Sequence, residues 1–459
     1  MYGETKYRGR FSFMNIGSNA ARPEGEGMKG LKLVIIGAGS AYTPEIIDEI
    51  IRRRKTLFIS SIVLVDIQDG FQRASVIRDL TIRMFVKAGL KCAVTLTLNR
   101  REALENVDFV ISQIRVGGWQ ARAEDEKIGL SLGLIGQETT GCGGFMNAMR
   151  TIPESLAIAR DMEEICPQAV LLNFTNPSGI VTEALLRYSS IRTIGLCNCP
   201  INMKRDAAKA VGAEEKELDC TFAGLNHLSF MLSASYERQN IYPVLLEKLS
   251  KDATVMKNIP KVEGTDQLIQ AIQLIPSPYL QYFYFEPEML QKQLEEMEKD
   301  HTTRGDKVEE INRQLFRIYA DQNLCEKPKQ LSERGGSLYS YAAMNILQAC
   351  LSDEPWIMTV NTLNQGAIPD LAEEAGVEIT CHVSKYGIEP LERYTLPAHV
   401  LGLVQMVKRY ESLTVEAAVT RSRETALRAL LSHPLIHGFS NAQKILEKMG
   451  NREIHPIRL

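Results

Sequence analysis

The stretch from Leu31 to Arg54, LKLVIIGAGSAYTPEIIDEIIRRR, restricts the fold more than any other part of the chain, because strand, glycine turn and amphipathic helix follow one another directly. Thr43 and Pro44 offer a helix cap and a first-turn proline. Gly37 and Gly39 permit a tight turn, and the helix behind them can aim its N-terminus at a pyrophosphate. Tyr42 stands where the third glycine of the full dinucleotide fingerprint would pack helix on strand. Asp66 ends the next apolar run, SIVLVD, about where a ribose-binding acid is expected.

The alternation continues with a helical pattern over 71–87, then AVTLTL, DFVISQI, AVLLNFT and RTIGLC, with helical stretches such as MRTIPESLAIARDMEEI between them. This order predicts an α/β chain whose residues 30–200 form a Rossmann-like, doubly wound, mostly parallel sheet. Beyond Cys197 the pattern changes. Charged amphipathic segments over Glu286–Tyr319, Leu401–Tyr410 and Val415–Leu431, interrupted by strand-like WIMTVN and VEITCHV, predict a mixed α+β lobe over 201–459. The two halves are expected to share a cleft. Residues 1–29 have neither helical periodicity nor the apolar stretch of a secretory signal, and are read as a flexible extension.

Composition excludes several classes. No apolar run approaches the roughly 18 residues of a membrane span. Lys and Arg total 53 against 56 Asp and Glu, so the chain lacks the broad basic field of a nucleic-acid binder. Nine cysteines in 459 residues make no small disulfide framework, and a cytoplasmic location is expected.

Several residues have chemistry beyond packing. Cys197 in GLCNCP and His227 in GLNHLSF are suitable ligands for a borderline-soft divalent ion, but two ligands leave coordination positions open to a substrate. QETTGCGG, at 137–144, reads as a polar glycine-rich loop suited to close backbone approach. NFTNPSG places Asn173 and Asn176 at a strand end, where open α/β sheets bind ligands. Tyr279, Tyr282 and Tyr284 form an aromatic cluster that pattern alone assigns to neither core nor chemistry.

Nine segments in order, GAGSAYTPE, QIRVGGWQAR, IGQETTGCGG, NFTNPSGIVTEA, GLCNCPI, GLNHLSF, PYLQYF, TRGDKV and ERGGSLYS, resemble glycoside hydrolase family 4, and most closely its 6-phospho-β-glucosidase branch. The resemblance implies a fold of the lactate and malate dehydrogenase superfamily with NAD and a divalent metal, usually Mn²⁺, as cofactors. It assigns Cys197 and His227 to the metal, Tyr279 to the catalytic base, and Gly37, Gly39 and Ser40 to the dinucleotide turn. Arg115, Asn176 and Arg304 match positions that bind the phosphorylated sugar. The implied reaction is redox-neutral: hydride leaves carbon 3, a proton leaves carbon 2, the aglycone is eliminated, water adds, and the hydride returns. Asn198 follows the metal cysteine where 6-phospho-α-glucosidases typically carry Asp, which favours a phosphorylated disaccharide or β-glucoside as substrate. A homodimer or homotetramer is also implied. The competing readings are another glycosidase of the same family (a 6-phospho-α-glucosidase, α-galactosidase or α-galacturonidase), a net NAD-dependent dehydrogenase of a sugar or hydroxy acid, and a nucleotide-binding protein without turnover.

Overall fold

A computed structural model describes residues 30–251, 259, 262–334, 338–451, 457 and 459. The expected N-terminal extension and Gly335–Ser337 of ERGGSLYS lie outside the described residues. β1 (Leu31–Ile36) is buried from Leu33 onward, as an apolar run flanked by strands on both sides should be. It pairs in parallel with β2 (Ile59–Val65) and with β4 (Phe109–Ser112). β3 (Ala93–Thr97) adds outside β2, while β5 (Val170–Asn173) and β6 (Arg192–Gly195) add beyond β4, giving the spatial order 3-2-1-4-5-6 of a doubly wound sheet.

A second, antiparallel sheet follows, built on the hairpin of β7 (Leu218–Leu225) and β8 (Leu228–Tyr236) with β9 (Gln239–Asn240) and β10 (Ile275–Pro276) alongside β8. The strand-like WIMTVN and VEITCHV become β11 (Trp356–Leu363) and β12 (Gly376–Ser384), followed by β13 (Gly387–Pro390). These three return to the first sheet: β11 meets β6 antiparallel through Asn361 and Gly195, extending it to nine strands. One apolar core therefore includes Leu33 and Val110 of the parallel half together with Val360, Ile379 and Val404 of the C-terminal half.

Local structure departs from the sequence pattern at four places, three of them before the C-terminal helices. The helix expected from Met149 begins at Gly141, because Gly143 and Gly144 lie against the Gln137 and Thr139 backbone, where a Cβ would stand only 2.4 and 2.5 Å away. The back half of QETTGCGG is thus a helix start. The charged run Glu286–Tyr319 is two helices, Glu286–Asp300 and Arg304–Tyr319, broken at His301 in a left-handed conformation (φ 53°) and restarted by a Thr303–Asp306 capping box. A helix at Gly118–Ser131, absent from the pattern, buries Ala121, Ala123, Asp125 and Glu126 in place of an apolar stripe.

In the C-terminal half, Leu401–Tyr410 and the start of Val415–Leu431 join into one helix, Ala398–Thr420. Its buried Lys408 pairs with Glu183 at 2.8 Å and Glu411 at 2.5 Å, and Glu183 also accepts the Gly376 N–H at 2.9 Å. Breaking one member of such a buried set leaves an uncompensated charge, so this set fixes the Ala398–Thr420 helix against the sheet. Among the described residues no helix is long and apolar enough to cross a membrane.

Candidate active site

The glycine turn after β1 is closed by hydrogen bonds that its sequence makes possible. Gly37 has φ 81°, and a Cβ there would lie 2.9 Å from the Gln113 carbonyl oxygen. The N–H groups of Gly37 and Ala38 donate to the Val65 carbonyl, and Gly39 N–H donates to Asp66 Oδ2 at 2.6 Å. Asp66 Oδ1 accepts from Ile67 N–H at 2.9 Å. The carboxylate thus ties the end of β2 to the turn. Gly70 gives it room: a Cβ there would sit 1.9 Å from Asp66 Oδ1.

A cavity of about 1480 Å³ opens at the carboxyl ends of the parallel strands, lined by Gly37, Gly39, Ser40, Asp66, Arg115 and Asn176 among others. It lies where doubly wound sheets hold dinucleotides and is large enough for one with a sugar beside it.

Cys197, His227 and Tyr279 gather at a second centre. His227 occupies the two-residue turn between β7 and β8 at φ 65°, a region that a non-glycine residue occupies only when its surroundings over-determine it. Here Asn226 does so, donating to Glu378 at 3.0 Å and accepting from Gly179 N–H at 3.4 Å. The hydrogen bonds also fix the tautomer of His227. Gln137 Oε1 accepts from the Thr139 and Thr140 N–H groups and from the Thr139 hydroxyl at 2.8 Å. With its one proton so used, Thr139 Oγ1 accepts at 2.9 Å from His227 Nδ1–H, which leaves a lone pair on Nε2. Burial lowers the imidazole pKa to about 3, so the ring is neutral.

The Tyr279 ring lies face to face on His227, with centroids 3.6 Å apart and planes within 3°. Tyr282 packs beside it at 6.2 Å, tilted. This singles out Tyr279 from the three tyrosines that the pattern left equivalent. Burial, then Cys197, Cys199, Tyr282 and Glu138, push the Tyr279 phenol well above its usual range. The Cys197 sulfur, at the end of β6, accepts from Cys199 N–H at 3.3 Å. Burial, Cys199 and Glu378 push its thiol up as well. The protein alone therefore holds both groups protonated, and a nearby divalent charge would reverse both shifts. A buried thiol, an imidazole with a free lone pair and a phenol in reach fit such an ion. Among the described residues no cluster of three or more His, Cys, Asp or Glu could hold one. An ion at Cys197 and His227 would accordingly keep positions open.

Glu138 joins the two centres. It pairs with Arg115 at 2.7 Å and Arg122 at 2.9 Å, and lies in the field of His227 and Tyr279. Burial opposes its charge, but Arg122 and Arg115 outweigh burial and hold the carboxyl at about 2. Arg115 lies over the Trp119 ring at 4.1 Å. The Asn176 side-chain oxygen is buried and has no partner among the described residues. Arg304 opens the Arg304–Tyr319 helix and reaches the cavity wall by donating to the Arg334 carbonyl at 3.3 Å. Glu138, Thr139, Trp119, Glu378 and Arg334 are the residues that sequence reasoning missed. Each stands in a quoted motif or a β-rich run, and the lone Glu378 inside VEITCHV was the clearest signal of a buried polar role.

Two family models match the chain. The model described as Family 4 glycosyl hydrolase matches residues 32–213, and that of the Family 4 glycosyl hydrolase C-terminal domain matches residues 222–436. A probable 6-phospho-β-glucosidase of Bacillus subtilis is 43% identical over 424 residues, covering 92% of this chain and 96% of its own. A solved 6-phospho-β-glucosidase from Thermotoga maritima, with manganese, NAD⁺ and glucose-6-phosphate, superposes with a TM-score of 0.81 at 32% identity, covering 91% of this chain and 97% of that one. A malate dehydrogenase from Plasmodium falciparum, 10% identical with a TM-score of 0.50, shares the fold over 85% of this chain and 99% of its own.

Proposed function

The chain belongs to glycosyl hydrolase family 4, and on that premise we propose that it hydrolyses 6-phospho-β-glucosides with NAD and a divalent ion, manganese in its relatives, and no net oxidation. The observation that carries this reading is the stack of Tyr279 on a neutral His227 whose Nε2 lone pair is free, with Cys197 close enough to perturb the phenol. When bound, NAD supplies a reversible hydride acceptor for carbon 3 of the sugar, and the divalent ion a Lewis acid that acidifies carbon 2.

The chain's own residues do the rest. His227 Nε2 and the Cys197 sulfur would hold the ion, with Thr139 keeping the ring oriented. Gly37, Gly39 and Ser40 present the turn to the dinucleotide, and Asp66, whose two oxygens each accept one backbone N–H, from Gly39 and from Ile67, has lone pairs left for ribose hydroxyls. Tyr279, as the phenolate, takes the carbon 2 proton and later returns it. Arg115, Asn176 and Arg304 hold the 6-phosphate. Asn198, directly after Cys197, is an amide and cannot protonate a leaving oxygen, which supports a β-linked substrate over an α-linked one. In the family's terms the substrate is a phosphorylated disaccharide or aryl β-glucoside, the enzyme a cytoplasmic homodimer or homotetramer. Nine cysteines, with no small disulfide framework to build, suit that compartment.

Incubating enzyme, Mn²⁺, NAD and p-nitrophenyl-β-glucoside 6-phosphate, with nitrophenol and NADH followed separately, tests the proposal. Nitrophenol release without accumulating NADH is expected. NADH formed in step with substrate consumption would make the protein a net dehydrogenase instead.

A further inference from the structure

Arg334, outside the residues assigned so far, is only 8% exposed and lines the large cavity, yet its Nε and Nη1 have no hydrogen-bond partner among the described residues. Its guanidinium lies over the Tyr42 ring at 3.9 Å and within 5.3 Å of the Trp119 ring. Its carbonyl accepts from Arg304. Trp119 also carries Arg115 at 4.1 Å and Arg122 at 5.5 Å, so three guanidinium groups surround one indole. A buried cation with bare N–H groups costs stability unless something accepts from it.

Charge decides what that partner is. Arg115 and Arg122 are matched by Glu138 and Glu126, at 2.7, 2.9 and 2.8 Å. Glu45, a carboxylate that also lines the cavity, is engaged by Leu338 N–H at 3.2 Å and the Ser340 hydroxyl at 3.0 Å. Of the four arginines, Arg304 and Arg334 are left over, and a phosphate monoester carries close to two negative charges at neutral pH. Tyr42, the departure from the dinucleotide fingerprint, gains a reason: its ring fixes the guanidinium plane, and Nε–H and Nη1–H remain for charge-assisted donation to phosphate oxygens.

Resting on the reading under Proposed function, we infer that Arg334 acts with Arg304 to bind the phosphate at carbon 6 of the sugar, and so selects phosphorylated over free glucosides. Its place on Tyr42, within the dinucleotide turn, makes the cofactor's pyrophosphate the other source of the same phosphoryl oxygens, and the test separates the two.

Calorimetric titration of glucose 6-phosphate, glucose and NAD into metal-free enzyme is compared for wild type, Arg334→Ala and Arg334→Lys. Losing these charge-assisted hydrogen bonds should weaken glucose 6-phosphate on the order of 10- to 100-fold in Arg334→Ala, less in Arg334→Lys, and leave NAD within about twofold. Retained NAD binding also reports an intact fold. Unchanged glucose 6-phosphate affinity in Arg334→Ala overturns the inference, as does a loss confined to NAD or an equal loss of glucose. Wild-type turnover of the phosphorylated substrate is scored separately, so a failure of Arg334 is not a failure of the glycosidase reading.

Discussion

Cys197→Ser is expected to lower turnover of p-nitrophenyl-β-glucoside 6-phosphate by about 10³-fold or more, because a Lewis-acid ion contributes several kcal/mol to such a step and a hydroxyl does not ionise to hold it. The substitution is nearly isosteric, and serine oxygen can still accept the Cys199 N–H that the sulfur now accepts at 3.3 Å. Fold and NAD affinity should therefore persist while Mn²⁺ affinity falls. Melting temperature, NAD titration and Mn²⁺ titration separate these effects. Wild-type rates with wild-type Mn²⁺ affinity in Cys197→Ser would remove the thiol from the metal site.

Tyr279→Phe keeps the ring that stacks on His227 and deletes only the phenol. If that phenol is the base at carbon 2, kcat should fall on the order of 10²- to 10⁴-fold with KM little changed, since the lost interaction belongs to the transition state. The sign of the pH dependence follows from the same surroundings. Burial first, then Cys197, Cys199, Tyr282 and Glu138, raise the phenol, whereas the reaction uses the phenolate, so the wild-type rate should rise with pH through the Tyr279 pKa. Tyr279→Phe should lose that limb. A variant within about threefold of wild type that retains the limb would assign the base elsewhere.

The sequence disclosed what depends on local periodicity. Leu31–Arg52 reads as strand, turn and helix because β1 is continuously apolar and the first helix alternates at helical spacing. The same logic fails for Gly118–Ser131, whose buried face is alanine and paired acid, and for the start of the Gly141 helix, whose glycines look like loop until their backbone neighbours are known. That β11–β13 extend the parallel sheet depends on one antiparallel meeting, Asn361 with Gly195, between residues far apart in the chain.

The site divides in the same way. Gly37, Gly39 and Asp66 lie within about thirty residues of one another, and their spacing spoke for a dinucleotide. Cys197 and His227 were candidate ligands by residue type alone, and the family resemblance joined Tyr279 to them. Their neighbours come from distant segments: Thr139 orients His227 across 88 residues, and Glu378 reaches Ser229 across 149. Periodicity contains no such information. Arg334 stands in a quoted motif, yet its significance is its bare N–H groups over Tyr42, which only packing reveals.

The central claim is that one site takes a proton from carbon 2 while a hydride leaves carbon 3 and returns. Cleaving the phosphorylated glucoside in deuterium oxide and examining the sugar by proton magnetic resonance tests it most directly. The account predicts glucose 6-phosphate with deuterium at carbon 2 and ordinary hydrogen at carbon 3, formed without net NADH. Product that keeps its original hydrogen at carbon 2 would contradict it.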